Sequence, residues 1–261
     1  GGYAGARWDT LAWAANLART RDLLDKLKRP TVNVKPGQYR TYLAPRAFAD
    51  VLGMMGWNAL SAAAWKQGRS PFKKLVEREA KFSPLLSFSE NFGLALTPRF
   101  NSQGEVSESL LPLMQAGELR TLLVSSRTAK EYGLTGNAAD EGEAPRALDV
   151  ACGTLAEADI LKEIGTGLYL SNVHYLNWSD PVSARVTGMT RYACFWVENG
   201  EIVGPINDLR WDESLYDALG RKLLALTDWA DIDPACDTYY TRALGGSRVP
   251  GALIEGWTFT L

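Results

Sequence analysis

Histidine is nearly missing from this chain: of 261 residues only His174 carries an imidazole. A zinc-protease helix of the H-E-x-x-H kind needs two, and a three-histidine site needs three, so neither can be built from this sequence. Cysteine is scarce too. Three is too few for a disulfide framework, and it is an odd number. Cys152, Cys194 and Cys236 therefore read as reduced thiols, which implies a cytoplasmic setting. No apolar run approaches the ~20 residues that a membrane helix needs, and no secretory leader is visible. Neither sign of charge is in surplus: 28 Lys and Arg face 30 Asp and Glu, a net of -2. A binder of phosphate backbones needs a basic excess, so direct nucleic-acid binding is not expected. The glycine fingerprints of dinucleotide and P-loop sites are absent. The chain begins Gly1-Gly2-Tyr3 without Met, as a piece cut from a longer polypeptide would.

What is present is a core-forming chain, 46% hydrophobic and 22% charged. Apolar residues at three- and four-residue intervals (Trp8, Leu11, Ala15, Ala18, Leu23 or Leu24) predict a helix over 6–28 with that stripe inward. Short strands follow at 31–34 and 39–43. Pro45 opens a second helix running to about 65, weakened by Gly53 and Gly56. Residues 72–79 read as a short helix, and 85–88 and 94–97 as strands. A hairpin joins 108–114 to 118–124 through Ala116-Gly117, with Pro112 marking an edge or interrupted strand. Ser126 caps a helix ending at Tyr132, before Gly133. The small polar segment 137–145 reads as a mobile loop, with Asp140, Glu141 and Glu143 solvated. A strand at 147–152 precedes a helix over 155–164, where Thr154 and Glu157 form a capping box. Strands at 168–173, 192–197 and 202–206 follow, the last two joined by Asn199-Gly200, a strong hairpin signal. Leu215, Leu219, Leu223 and Leu226 predict a helix from Asp212, and 252–261 is a final strand. The fold class is α+β: antiparallel sheets and hairpins with packed helices, in one domain over 1–261.

Few residues carry evident chemistry. His174 could pair with a serine and a carboxylate, but no nucleophile-elbow pattern accompanies it, and a structural or surface role is the plainer reading. Cys236 has no second Cys or His nearby. The run Thr187-Gly188-Met189-Thr190-Arg191, with Ser179 before it, offers hydroxyls, a flexible glycine and a guanidinium. Such a run could clamp an extended peptide or its carboxylate, or it could simply satisfy neighbouring loop groups. The nine tryptophans lack interleaved basic runs and read as core and interface rather than as base-stacking platforms.

Several segments, taken in order, resemble the TldD/PmbA family, metallopeptidase-related proteins once called modulators of DNA gyrase. They are AKEYGLTG (129–136), GLYLSN (167–172), NWSD (177–180), TGMTR (187–191), FWVENGEIVGPI (195–206) and PGAL (250–253). The resemblance covers essentially the whole chain as the family's C-terminal domain, with the usual N-terminal α/β domain not present in it. It implies one of two kinds of subunit. The TldD kind carries zinc on an H-E-x-x-x-H helix with a distant Cys. The PmbA kind, also called TldE, lacks that motif and partners the first. Here the corresponding helix after Pro45 offers Phe48, Asp50, Met54, Met55 and Trp57 and no His. Cys236 falls near the place of the distant Cys, and one thiol cannot hold zinc alone. Where an acidic stretch is expected, 101–104 reads Asn-Ser-Gln-Gly. The resemblance thus implies a zinc-free, TldE-like dimer subunit with no catalytic or metal-binding residue of its own. It would shape a channel for unfolded peptide, with zinc expected only in a TldD-like partner. A stand-alone peptide-binding or scaffold homodimer is the alternative, and a hydrolase dependent on His174 is a third.

Overall fold

A computed structural model describes residues 3–4, 7–236, 238 and 242–260. In chain order the elements are α1 (Thr10–Lys26), β1 (Gly37–Leu43), α2 (Pro45–Gly53), α3 (Ala62–Lys66), α4 (Lys73–Val76), β2 (Phe88–Asn91), β3 (Leu110–Gln115), β4 (Glu118–Leu119) and α5 (Ser126–Tyr132). They continue with β5 (Ala147–Val150), α6 (Ile160–Ile164), β6 (Gly167–Asp180), β7 (Arg185–Glu198), β8 (Glu201–Pro205), β9 (Arg210–Ser214), α7 (Leu215–Ala218), β10 (Leu223–Pro234) and β11 (Gly246–Phe259). The α+β class is as expected. Its strands join one 11-stranded sheet rather than separate hairpins.

Part of that sheet closes on itself. β1 pairs with β6 and β11, β6 with β7, β7 with β9, and β9 returns to β11 where Trp211 faces Phe259. Closure leaves these strands few free edges. Trp211, Trp257 and Phe259 are buried on the inner face, the two indoles 4.9 Å apart at their centroids. Glu213 lies among them at 3% side-chain exposure, 2.8 Å from the ammonium of Lys222. Thr258 and Ser214 also donate to this carboxylate, so the buried charge is paired and hydrogen-bonded. β5, β2, β3 and β4 extend the sheet outward from β11, and β10 pairs with β11 along the edge opposite β5. A second core on the other face gathers Tyr42, Phe195, Val197, Ile202 and Leu253.

Local chemistry explains the elements that match the sequence reading. Pro45 starts α2, and Gly133 ends α5 at a φ of 66°. Asn199 and Gly200 turn between β7 and β8 with φ of 51° and 79°, the conformation that Asn-Gly supplies at least strain.

Other expectations are corrected. α1 forms behind Asp9, whose carboxylate caps its first amides, but none of its residues is buried and Leu11 is 82% exposed. Only Leu23 and Leu27, near its end, reach the second core; residue 6 of the predicted span lies outside the described residues. The segment 31–34 makes one isolated bridge, Val32 to Ile206. The long helix after Pro45 breaks at Gly53–Asn58, where Asn58 takes a φ of 71°. The cap of α5 is Ser125, one residue earlier than expected. No capping box forms at 154–157, and a single tight turn there leads into α6. The strand placed at 94–97 is instead a turn beyond β2. The segment 137–145 is pinned rather than loose: Asn137 accepts the Val124 N–H, and Glu143 is 1% exposed. The leucines at 215, 219, 223 and 226 are buried as a helix stripe would be, yet the backbone there forms the end of β9, one helical turn and β10. Of the final strand, Leu261 lies outside the described residues. Among the described residues no helix is long and apolar enough to cross a membrane.

Candidate functional site

The far halves of β6 and β7, with β9, make a three-strand surface bearing most of the residues singled out in the sequence. Paired residues in antiparallel strands share a face. His174 lies opposite Met189, which lies opposite Arg210, and Asn177, Thr187 and Asp212 form the next row. Asn172 and Arg191 extend it. Two irregularities set this register: the pairing shifts near Tyr175 and Tyr192, which take φ of 53° and 62°. Such values are costly for bulky residues, and here they leave both rings exposed. The Arg191 guanidinium stacks over Tyr192 at 4.4 Å.

Arg210 donates from Nε to the Thr187 hydroxyl at 3.2 Å, and Arg185 pairs with Asp212 at 3.1 Å. A cleft of about 390 Å³ opens beside them, lined by Arg185, Arg210, Asp212, Thr258 and Thr260. The face thus bears three guanidiniums, Arg185, Arg191 and Arg210, of which Arg185 is held by Asp212 and stands opposite Asp180. It suits carboxylates and main-chain carbonyls; it contains no activated nucleophile.

The residues of the predicted run divide by direction. Thr187, Met189 and Arg191 are on this face. Gly188 and Thr190 are turned into the core. A Cβ on Gly188 would meet Trp211 at 2.4 Å, so the glycine makes room for the indole. The buried Thr190 hydroxyl accepts the Leu209 N–H at 3.0 Å. Ser179 lies beyond the rows, near the β6–β7 turn, and donates to the Arg185 carbonyl at 3.4 Å. Residues 187–189 pair with β6 at 187 and 189 and with β9 at all three, so a peptide cannot add there as a further strand. Contact with one would run through side chains. Arg210 and Asp212 escaped the sequence reading because 212–226 looked helical and hid β9, and Arg185, Thr258 and Thr260 join them only through the pairing of β9 with β7 and β11.

α2 packs along the other edge of β6. It turns Arg46 and Asp50 outward, 3.5 Å apart, and Arg46 also pairs with Asp233 of β10. Burial raises the pKa of Asp50, opposed by Arg46, the Val173 N–H and Arg191. The carboxylate thus covers a free N–H on the β6 edge. The zinc that the family's other subunit kind holds does not fit these donors: α2 has no imidazole, an arginine occupies its outer face, and Cys236 is a single exposed thiol. Among the described residues no three His, Cys, Asp or Glu side chains stand close enough to share a metal ion. His174 stacks on Tyr175 at 4.5 Å, and among the described residues no serine or carboxylate is hydrogen-bonded to it.

Comparison with known proteins agrees with this architecture. The family model for the PmbA/TldA metallopeptidase C-terminal domain matches residues 36–261. The chain belongs to that family. Among solved structures, TldE from Thermococcus kodakarensis superposes with a TM-score of 0.77 at 14% identity, over 95% of this chain and 55% of that one. A Thermotoga maritima protein described as a modulator of DNA gyrase gives 0.71 at 20% identity, covering 88% and 51%. One from Bacteroides thetaiotaomicron with the same description gives 0.68 at 18%, covering 94% and 51%. These likenesses establish the fold, and the chain spans about half the length of each structure. No curated protein matches this sequence.

Proposed function

We propose that this PmbA/TldA-family domain serves as a zinc-free, TldE-like subunit. It walls a channel for unfolded peptide while a zinc-bearing, TldD-like partner cuts. The observation that carries this reading is α2, which holds no imidazole and whose outward Arg46 pairs with Asp50 and with Asp233. The β6–β7–β9 face supplies the peptide contacts through Thr187, Met189, Arg191 and Arg210, with Ser179 at its rim. The buried Gly188 and Thr190 hold that face in place. Three free thiols suit a cytoplasmic setting.

The test is reconstitution. The chain alone, and the chain mixed with a purified H-E-x-x-x-H subunit, are incubated with an unfolded peptide, and zinc is quantified in each. Cleavage is expected only in the mixture, with far less than one zinc per copy of the isolated chain. Chelator-sensitive cleavage by the chain alone would end the proposal. A stable self-pair that binds peptide but never gains activity would favour the homodimer scaffold.

A further inference from the structure

A second cavity lies away from that face, among α3, α4, β4 and α5. Its floor is a small core of its own: Ala62, Leu122 and Val124 are buried, with Trp65, Val76 and Leu134 packed around them. The packing is incomplete. It leaves a cavity of about 350 Å³ open to solvent, the size of a small-molecule site. The lining that water reaches is mixed, with polar groups around a small apolar floor, so the cavity suits an occupant that combines a polar head with an apolar part.

Among the described residues, the only charges lining it are two guanidiniums, Arg78 and Arg120. Arg78 follows α4 with a φ of 61°, a left-handed conformation costly for a residue with a side chain. Its guanidinium has no ion pair or hydrogen bond among the described residues. Among the described residues Arg120 meets only Glu118, at 3.5 Å, with both side chains exposed, so the pair is readily exchanged. Two available guanidiniums over an apolar floor match one chemistry: a carboxylate at the mouth and a hydrocarbon tail inside. Thr121 and Thr135 add hydroxyls at the lining.

We infer that this cavity binds an organic monocarboxylate with an apolar tail. The site shares no residue with the β6–β7–β9 face and does not depend on the peptide-channel reading. Two sources offer that chemistry, a free aliphatic acid and the C-terminal residue of a peptide ending in a large apolar side chain.

Calorimetric titration of the full chain tests the inference, using octanoate and N-acetyl-leucine beside their neutral counterparts octanol and N-acetylleucinamide. At least one acid should bind at least tenfold tighter than its neutral counterpart. A preference for octanoate identifies the aliphatic acid as the source, and a preference for N-acetyl-leucine identifies the peptide end. Arg78→Gln and Arg120→Gln, both at exposed positions, should each weaken binding at least tenfold while circular dichroism stays unchanged. Lys130→Gln, exposed and outside the lining, should not. No binding of either acid at millimolar concentration, equal binding of acid and neutral counterpart, or equal loss in Lys130→Gln would each overturn the assignment.

Discussion

The Glu143 carboxylate accepts the Ser61 hydroxyl at 2.6 Å and so fastens the loop ahead of β5 to the start of α3. The same carboxylate takes the Ala63 and Ser125 N–H groups, each at 2.8 Å. Ser61 and Ser125 are the caps of α3 and α5, so one buried charge ties together two helix starts.

Acid should therefore weaken this corner. Burial pushes the Glu143 pKa up, but hydrogen bonds from Ser61, Thr128, Ala63 and Ser125 outweigh it, and the folded value is lowered. A lowered carboxyl pKa stabilises the fold above the unfolded value of about 4.3, and the gain disappears as pH falls through the folded value. Glu143→Gln should cost about 1.5–3 kcal/mol near neutral pH. Urea unfolding at about pH 7 and about pH 3 should show that deficit shrinking in acid; equal deficits at both would refute the assignment.

Gly188 gives a second, purely steric prediction. Trp211 is fully buried and packed on Trp257, so it has nowhere to retreat from a new methyl group. Gly188→Ala should destabilise by about 1–3 kcal/mol. In a chain of this size that lowers Tm by about 2–4 °C per kcal/mol. An unchanged melting curve would mean that the two strands can separate without penalty.

These two sites show what the sequence could and could not reveal. The Asn199-Gly200 hairpin was legible because its turn is dictated by two adjacent residues. The burial of Leu215, Leu219, Leu223 and Leu226 was legible too, but not the backbone beneath it. A four-residue spacing fits a helix, and the long-range pairing of β9 with β7 and of β10 with β11 leaves no local trace. Glu143 looked like one more charge in a polar loop, since its partners lie far away in sequence. The candidate face was only half legible. TGMTR was marked by composition, but the residues turned outward depend on the irregularities at Tyr175 and Tyr192, and nothing in those side chains announces a positive φ.

The Lys222–Glu213 pair should be fragile to half-removal. Lys222→Met leaves a carboxylate in the core without its counter-charge, a change that costs about 3–5 kcal/mol in comparable sites. Replacing both, with Glu213→Leu added, should recover much of the loss because no bare charge remains. Denaturant unfolding of the single and double variants measures this. A double variant as unstable as the single one would show that the hydrogen bonds from Thr258 and Ser214 matter more than the charge.

The peptide face can be separated from the structure beneath it, because its hydroxyls have different tasks. Thr190 is 2% exposed and satisfies a backbone amide, so Thr190→Val should lower stability by about 1–3 kcal/mol. Arg210 is exposed and its head group meets a hydroxyl at the surface, so Arg210→Ala should leave the melting curve nearly unchanged. If the face contacts peptide, that silent variant is the one to lose binding. A loss of at least ~1.4 kcal/mol, tenfold in Kd, is expected for an acidic extended peptide measured by fluorescence anisotropy. Raising salt should weaken the unsubstituted protein's binding more than the variant's, since exposed guanidinium contacts are screened. Full affinity in Arg210→Ala, with unaltered salt dependence, would move the peptide off this face altogether.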